Sequence, residues 1–102
     1  MLELRPNCEL CDRDLPPDSS DAYICTYECT FCKKCVETIL QNVCPNCGGN
    51  FCQRPTRPSN EHRQGVSLKH QKSASERVKT PYSKADINLF VAKLKHLKPH
   101  ER

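Results

Sequence analysis

Long apolar runs are missing from this chain, and no stretch approaches the roughly eighteen consecutive apolar residues that a membrane-spanning helix requires. The N-terminus, Met-Leu-Glu-Leu-Arg-Pro, lacks the basic start and the run of about seven or more apolar residues of a secretory signal. These two absences predict a cytoplasmic protein, in which thiols stay reduced and clustered cysteines bind metal more often than they form disulfides. The second half, residues 53–102, has no cysteine, a single glycine and few large apolar residues before Ile87. That poverty excludes a fold nucleus there and places it in the first half.

What the first half has is cysteine. All nine lie between Cys8 and Cys52, and an odd number fits a disulfide framework poorly. A segment of about fifty residues buries too little surface to offset a backbone ordering cost of about 1–2 kcal/mol per residue, so it needs staples. Charge divides at the same boundary. Residues 1–52 carry eight acidic and four basic side chains, and residues 53–102 carry four and twelve, so a formal charge of −4 on the head adjoins +8 on the tail.

Local patterns fill in the elements. The stretch Asp12–Ala22 is dense in turn formers and reads as a surface loop. Tyr23–Tyr27 has strand character, and Thr30-Phe31 is its expected hairpin partner. Lys33–Asn42 contains neither Gly nor Pro, and Val36, Ile39 and Leu40 fall on one helical face, which predicts a short helix. Phe51 and Cys52 are expected to end the ordered head. Residues 53–82 are polar and basic without a usable apolar period and read as a flexible linker. Over 83–98, Ser83 stands three residues before Asp86 in the manner of a capping box. Ile87, Phe90, Val91, Leu94 and Leu97 then form one apolar stripe, ended by Pro99, which predicts an amphipathic helix. Too short to be stable alone, it must pack on the head, a second copy or a partner.

The cysteine spacings are C-x2-C-x13-C-x3-C-x2-C-x2-C-x8-C-x2-C for Cys8, Cys11, Cys25, Cys29, Cys32, Cys35, Cys44 and Cys47, with Cys52 left over. A two-residue interval lets both sulfurs reach one tetrahedral ion, and four thiolates close a structural zinc site. Four such half-sites predict two structural zinc ions, though spacing alone does not say which half-sites combine. Cys52 falls outside the pairs and is read as a free thiol, with a role as substitute ligand for Cys25 or Cys47 as the alternative. An all-thiolate site leaves no open position for substrate, and a redox C-x-x-C belongs to a βαβ context this head cannot contain, so no catalytic residue is assigned.

The order of pairs, with Phe31 immediately before Cys32 and Cys44-Pro45-Asn46-Cys47 as the fourth pair, resembles the RING and related treble-clef zinc domains. That resemblance implies a small α+β, cross-braced module with a short β-hairpin and one short helix. It also implies interleaved sites, one zinc on Cys8, Cys11, Cys32 and Cys35 and the other on Cys25, Cys29, Cys44 and Cys47. Cys29 departs from the pattern, standing where that family usually has His. Leu10 sits where RING ubiquitin ligases place a residue that touches the conjugating enzyme; a minor core contact explains it as simply. The first 52 residues are also similar to a bacterial group of small cysteine-rich proteins, domain-of-unknown-function family 1272. The resemblance lies in Met-Leu-Glu-Leu-Arg-Pro-Asn-Cys8, in Cys11-Asp-Arg-Asp-Leu-Pro-Pro-Asp-Ser, in Glu28-Cys29-Thr30-Phe31-Cys32 and in Val43-Cys44-Pro45-Asn46-Cys47-Gly48-Gly49. It implies a bacterial host, in which a ubiquitin-ligase role lacks its system, and it assigns no activity.

These readings predict a non-catalytic protein-interaction or adaptor module with a protein partner. The alternatives are a nucleic-acid-binding regulatory protein acting through the basic tail, and a ubiquitin-ligase-like scaffold in a eukaryotic host. A nucleic-acid interface would draw on phosphate neutralisation by the twelve tail cations, because Tyr82 and Phe90 are the tail's only rings for base stacking. Otherwise the tail would lie against the acidic head or remain solvated. His62, His70, His96 and His100 have no ligand spacing and are read as surface residues.

Overall fold

The computed structural model describes all residues, 1–102. Its regular elements are few and short: β1 (Ala22–Ile24), β2 (Thr30–Cys32), α1 (Lys33–Thr38), β3 (Cys52–Gln53) and α2 (Lys84–Leu94), with a final 3-10 turn over Pro99–Glu101. The three strands form one antiparallel sheet in the order β2-β1-β3, in which Tyr23 faces Phe31 on one side and Gln53 on the other. Strands this short do not stabilise a domain by themselves. They carry Phe31 into contact with Phe51, ring centroids 5.4 Å apart and edge-on, in a core that also holds Leu15, Ala22, Leu40 and Val43. Thus the fold is a small α+β unit whose apolar core is threaded with buried sulfur.

The hairpin forms where the sequence places it, but β1 starts one residue early and stops at Ile24 instead of Tyr27, and β2 runs one residue past Phe31. Helix α1 starts as expected at Lys33 but ends at Thr38 instead of Asn42. Its continuation is blocked by two successive left-handed residues, Gln41 (φ 47°) and Asn42 (φ 63°), a conformation that a right-handed helix cannot contain. Val36 and Leu40 still reach the core, and the Asn42 side chain accepts the Phe51 N–H at 2.9 Å, which brings the end of the helical segment to β3.

The ordered head does not stop at Cys52. Gln53 belongs to β3, and Arg54 is buried, its guanidinium donating to the carbonyls of Arg5 (2.9 Å) and Pro16 (3.1 Å). Nor is 53–82 a free tether. Arg57 donates to the Leu2 and Gln71 carbonyls at 2.7 and 2.8 Å, Ser67 is buried, and residues 74–80 run against the first ten residues. An apolar period is not needed for this, because the segment is held by guanidinium and backbone hydrogen bonds, which leave no mark in a hydrophobicity pattern.

Helix α2 has the expected cap, with the Ser83 hydroxyl accepting the Asp86 N–H at 3.2 Å. Of its possible partners the head is the one it packs on: Ile87 and Val91 join the core, with Phe90 and Leu94 partly buried beside them. The helix ends at Leu94, so Leu97 lies beyond it, 39% exposed. Arg102 then returns to donate to the carbonyls of Asn42 (2.9 Å) and Gly48 (3.2 Å). No helix is long and apolar enough to cross a membrane.

Candidate metal centres

Two turns of the same construction present the outer cysteine pairs. In Cys8–Arg13, Cys8 N–H donates to the Arg13 carbonyl (2.8 Å) and Asp12 N–H to the Cys8 carbonyl (2.9 Å). In Cys44–Gly49, Cys44 N–H donates to the Gly49 carbonyl (2.8 Å) and Gly48 N–H to the Cys44 carbonyl (2.7 Å). The fifth residue is left-handed in both, Asp12 at φ 65° and Gly48 at φ 82°. Glycine takes that conformation without steric cost, and Asp is among the few side chains that tolerate it. Sequence marks the second turn through its glycine and hides the first behind an aspartate.

The inner cysteines come from the hairpin and the start of α1. Cys25 follows β1 and Cys29 precedes β2, joined by a turn in which Glu28 is left-handed (φ 64°) and Tyr27 N–H donates to Cys25 Sγ at 3.3 Å. Cys32 ends β2 as the N-cap of α1, and Cys35 lies one turn along it.

The sulfurs gather in two groups. Those of Cys8, Cys11, Cys32 and Cys35 lie within 4.8 Å of one another, as do those of Cys25, Cys44 and Cys47. The first pair of cysteines therefore joins the third, and Cys25 of the second pair joins the fourth. Cys29 is buried beside the trio without entering the shared 4.8 Å shell of those three. Cys52 is exposed on β3 and belongs to neither group. The four histidines are absent from both.

The electrostatics of each group are those of closely packed, mostly buried thiols. Burial, reinforced by the charges of Cys8 and Cys32, drives the Cys35 thiol far above its usual range, and burial likewise raises Cys8. Burial also opposes ionisation of Cys11, but the Arg13 N–H and the neighbouring thiols outweigh it, and its pKa falls. In the second group, hydrogen bonding from Cys44, helped by the Asn46 amide and Cys25, prevails over burial and the Glu9 charge and brings Cys29 down to about 6. Its donor Cys44 moves far up in consequence, and burial takes Cys25 up to about 11. A divalent cation in each group would stabilise every thiolate at once, as no arrangement of protons can.

One buried carboxylate joins the two groups. Glu9, inside the first turn, accepts Arg5 Nη1 at 2.9 Å, Thr30 N–H at 2.6 Å and Asn46 Nδ2 at 3.2 Å. Asn46 lies inside the second turn, so the intervening residues of the two C-x2-C pairs hold each other in place. Sequence spacing points to the cysteines and says nothing of Glu9 or Asn46, whose partners are 21 and 37 residues away. Leu10, by contrast, is packed against the core.

All nine cysteines are free, and Cys11 Sγ lies 3.7 Å from Cys32 Sγ, too far for a disulfide bond of about 2.05 Å. Four thiolates at about 2.3 Å around one ion define a tetrahedron with an edge of about 3.8 Å, so the spacing suits a tetrathiolate metal. Each group could hold one metal ion. No solved structure matches the chain. An uncharacterized protein of Rhizobium meliloti (strain 1021) is 70% identical over 59 residues, which cover 58% of this chain and 70% of that protein. A family described as protein of unknown function (DUF1272) matches residues 1–57, the whole of the cysteine-rich head with β3 and the residues that follow it, and the chain belongs to that family.

Proposed function

We propose that the head is a cross-braced, RING-like module built on two structural zinc ions, and that it serves as a non-catalytic protein-interaction adaptor. The ligand sets are Cys8, Cys11, Cys32 and Cys35 for one ion, and Cys25, Cys29, Cys44 and Cys47 for the other. The observation that carries this reading is the four-sulfur group, with its 3.7 Å sulfur separation and its burial at three of four positions. For the second ion, Cys29, buried beside the trio and separated from Cys25 by the three residues of the C-x3-C pair, is the fourth ligand. Zinc takes precedence over other metals because soft thiolates in a tetrahedral set suit it and no oxygen ligand is at hand. A closed tetrathiolate site has no position for a substrate or an activated water, which is the ground for the non-catalytic reading.

Binding of structural zinc is worth about 10–16 kcal/mol in small zinc peptides, enough to order a head with so few apolar residues. Native mass spectrometry of metal-replete protein with a count of reactive thiols tests the assignment. Two zinc ions and one reactive thiol are expected; one ion, or several reactive thiols, would overturn the eight-ligand set. The basic tail gives less support to nucleic-acid binding than its composition suggests, because Arg54, Arg57, Arg77 and Arg102 are engaged by carbonyls and carboxylates of this chain.

A further inference from the structure

Residues 74–80 lie as a strap along residues 4–9 and run parallel to them. Ala74 N–H donates to the Leu4 carbonyl at 3.0 Å, and Thr80 N–H to the Glu9 carbonyl at 2.9 Å. Between these two bonds the fully buried Asn7 makes a two-way pair with the backbone of Val78. Its Nδ2 donates to the Val78 carbonyl at 2.8 Å, and its Oδ1 accepts the Val78 N–H at 3.1 Å. A side-chain amide used in this way recognises extended backbone whatever side chain that backbone carries.

Selection among extended segments comes from the neighbours. Arg77 donates to the Asp12 carbonyl at 2.6 Å, to Asp12 Oδ1 at 3.0 Å and to Asp14 Oδ1 at 2.6 Å, and Lys79 Nζ stands 3.9 Å from Asp12 Oδ2. Thr80 Oγ1 donates to Asn46 Oδ1 at 2.8 Å. Every receiving residue falls within the 57 residues that the family model matches, and the strap falls outside them.

We infer that this face of the head is a docking groove for an extended basic peptide with the order Arg, small apolar, Lys, Thr, and that the strap of this chain occupies it in cis. Charge selects that occupant. The head has a formal charge of −4 before any thiolate is counted, and a nucleic acid would meet Asp12 and Asp14 with like charge. The ionic contacts are solvent-exposed, Arg77 at 43% and Asp14 at 82%, so each is individually weak. The strap holds its place mainly because tethering raises its local concentration to the order of millimolar, and a partner of the same chemistry displaces it by competition. This groove rests on the metal-bound reading of the head, since Asn7 and Asp12 adjoin Cys8 and Cys11.

The test uses the full-length, zinc-loaded chain and a fluorescent peptide with the sequence of residues 73–81, read by anisotropy at low salt. Wild type is expected to bind the peptide weakly. A chain carrying Arg77→Ala and Val78→Pro, which removes the guanidinium and the N–H read by Asn7, should bind it roughly tenfold or more tightly than wild type. Asp12→Asn together with Asp14→Asn on that background should remove most of the gain, and a peptide with Glu in place of its Arg should not bind. Equal affinity for wild type and the strap variant overturns the groove, as does a gain that survives loss of both carboxylates or a preference for a single-stranded RNA of similar length. Native mass spectrometry of each sample separates the two readings: a shortfall of zinc in wild type contradicts the metal assignment, whereas a fully loaded strap variant that ignores the peptide contradicts the groove alone.

Discussion

Ile87→Ala should detach α2 while leaving the metal-binding head folded. Ile87 is 1% exposed and lies in one core with the buried cysteines, so its truncation leaves a cavity costing about 2–5 kcal/mol. An eleven-residue helix is marginal in water, so nearly all of the order of α2 derives from docking. Only Ile87 and Val91 are fully buried at that contact, and each contributes about 1.5–3 kcal/mol by burial. Removing most of one of two anchors therefore takes away a quantity comparable to the whole docking free energy. On the proposed two-zinc reading the head, held by thiolate–metal bonds that α2 does not supply, should persist. Hydrogen exchange read by mass spectrometry is the assay, with protection over residues 88–95 compared against α1 and the hairpin. Expected is loss of protection confined to α2, with two zinc ions retained in native mass spectra. Leu89→Ala, 74% exposed on the same helix, serves as control and should stay within about 0.5 kcal/mol of wild type. Retained protection in Ile87→Ala, or simultaneous loss over α1 and α2 together with the metal, would refute the reasoning.

Other substitutions probe single features. Gly48→Ala should cost about 1–2 kcal/mol for its left-handed backbone, plus a further crowding penalty because a Cβ would lie 3.1 Å from Leu94 Cδ1; Gly65→Ala, equally left-handed with nothing within 4 Å, should show the backbone part alone, and equal denaturation midpoints for the two would rule out the crowding. Ser83→Ala deletes the cap of α2 and should lower its stability by about 0.5–2 kcal/mol, measured as faster amide exchange in its first turn, with no change in the head. Cys52→Ser should leave two bound zinc ions and midpoints within about 0.5 kcal/mol of wild type, whereas Cys29→Ser should weaken or empty one site; the reverse pattern would make Cys52 the ligand. A chelator should abolish native amide dispersion in NMR spectra of the head, and dispersion that survived metal removal would show that the apolar core suffices without zinc.

Cysteine spacing predicted the grouping of Cys8 and Cys11 with Cys32 and Cys35 only once the resemblance to cross-braced zinc domains was added, since four half-sites combine in several ways. The hairpin and both helices were legible because strand character at Tyr23 and Ile24 and the stripe from Ile87 to Leu94 are periodic. The stop of α1 at Thr38 was not, because Gln41 and Asn42 enter the left-handed region for reasons of closure onto Phe51, with no glycine to announce it. The ordering of 53–82 leaves no sequence signal for another reason: hydropathy registers apolar burial, and that segment is fixed by Arg54, Arg57 and Arg77 donating to carbonyls and carboxylates far away in sequence. Glu9 and Asn46 leave none either, being ordinary polar residues whose role exists only when the two turns meet.

The strap touches both cysteine turns, the first at Asp12 and the second through Thr80 on Asn46, whereas α2 with Arg102 engages only the second, at Gly48. Asp12 and Gly48 are the left-handed residues that follow each outer cysteine pair, the positions at which a turn must hold its shape for both sulfurs to reach one ion. On the proposed two-zinc reading, metal loss at the first turn removes the main platform of the strap, and metal loss at the second removes that of α2. The coupling is reciprocal: if metal binding orders the strap, strap docking must raise metal affinity by the same factor. The strap variant should accordingly yield metal to a competing chelator at a lower chelator concentration from the four-sulfur group than wild type does, and Ile87→Ala should do so from the second group.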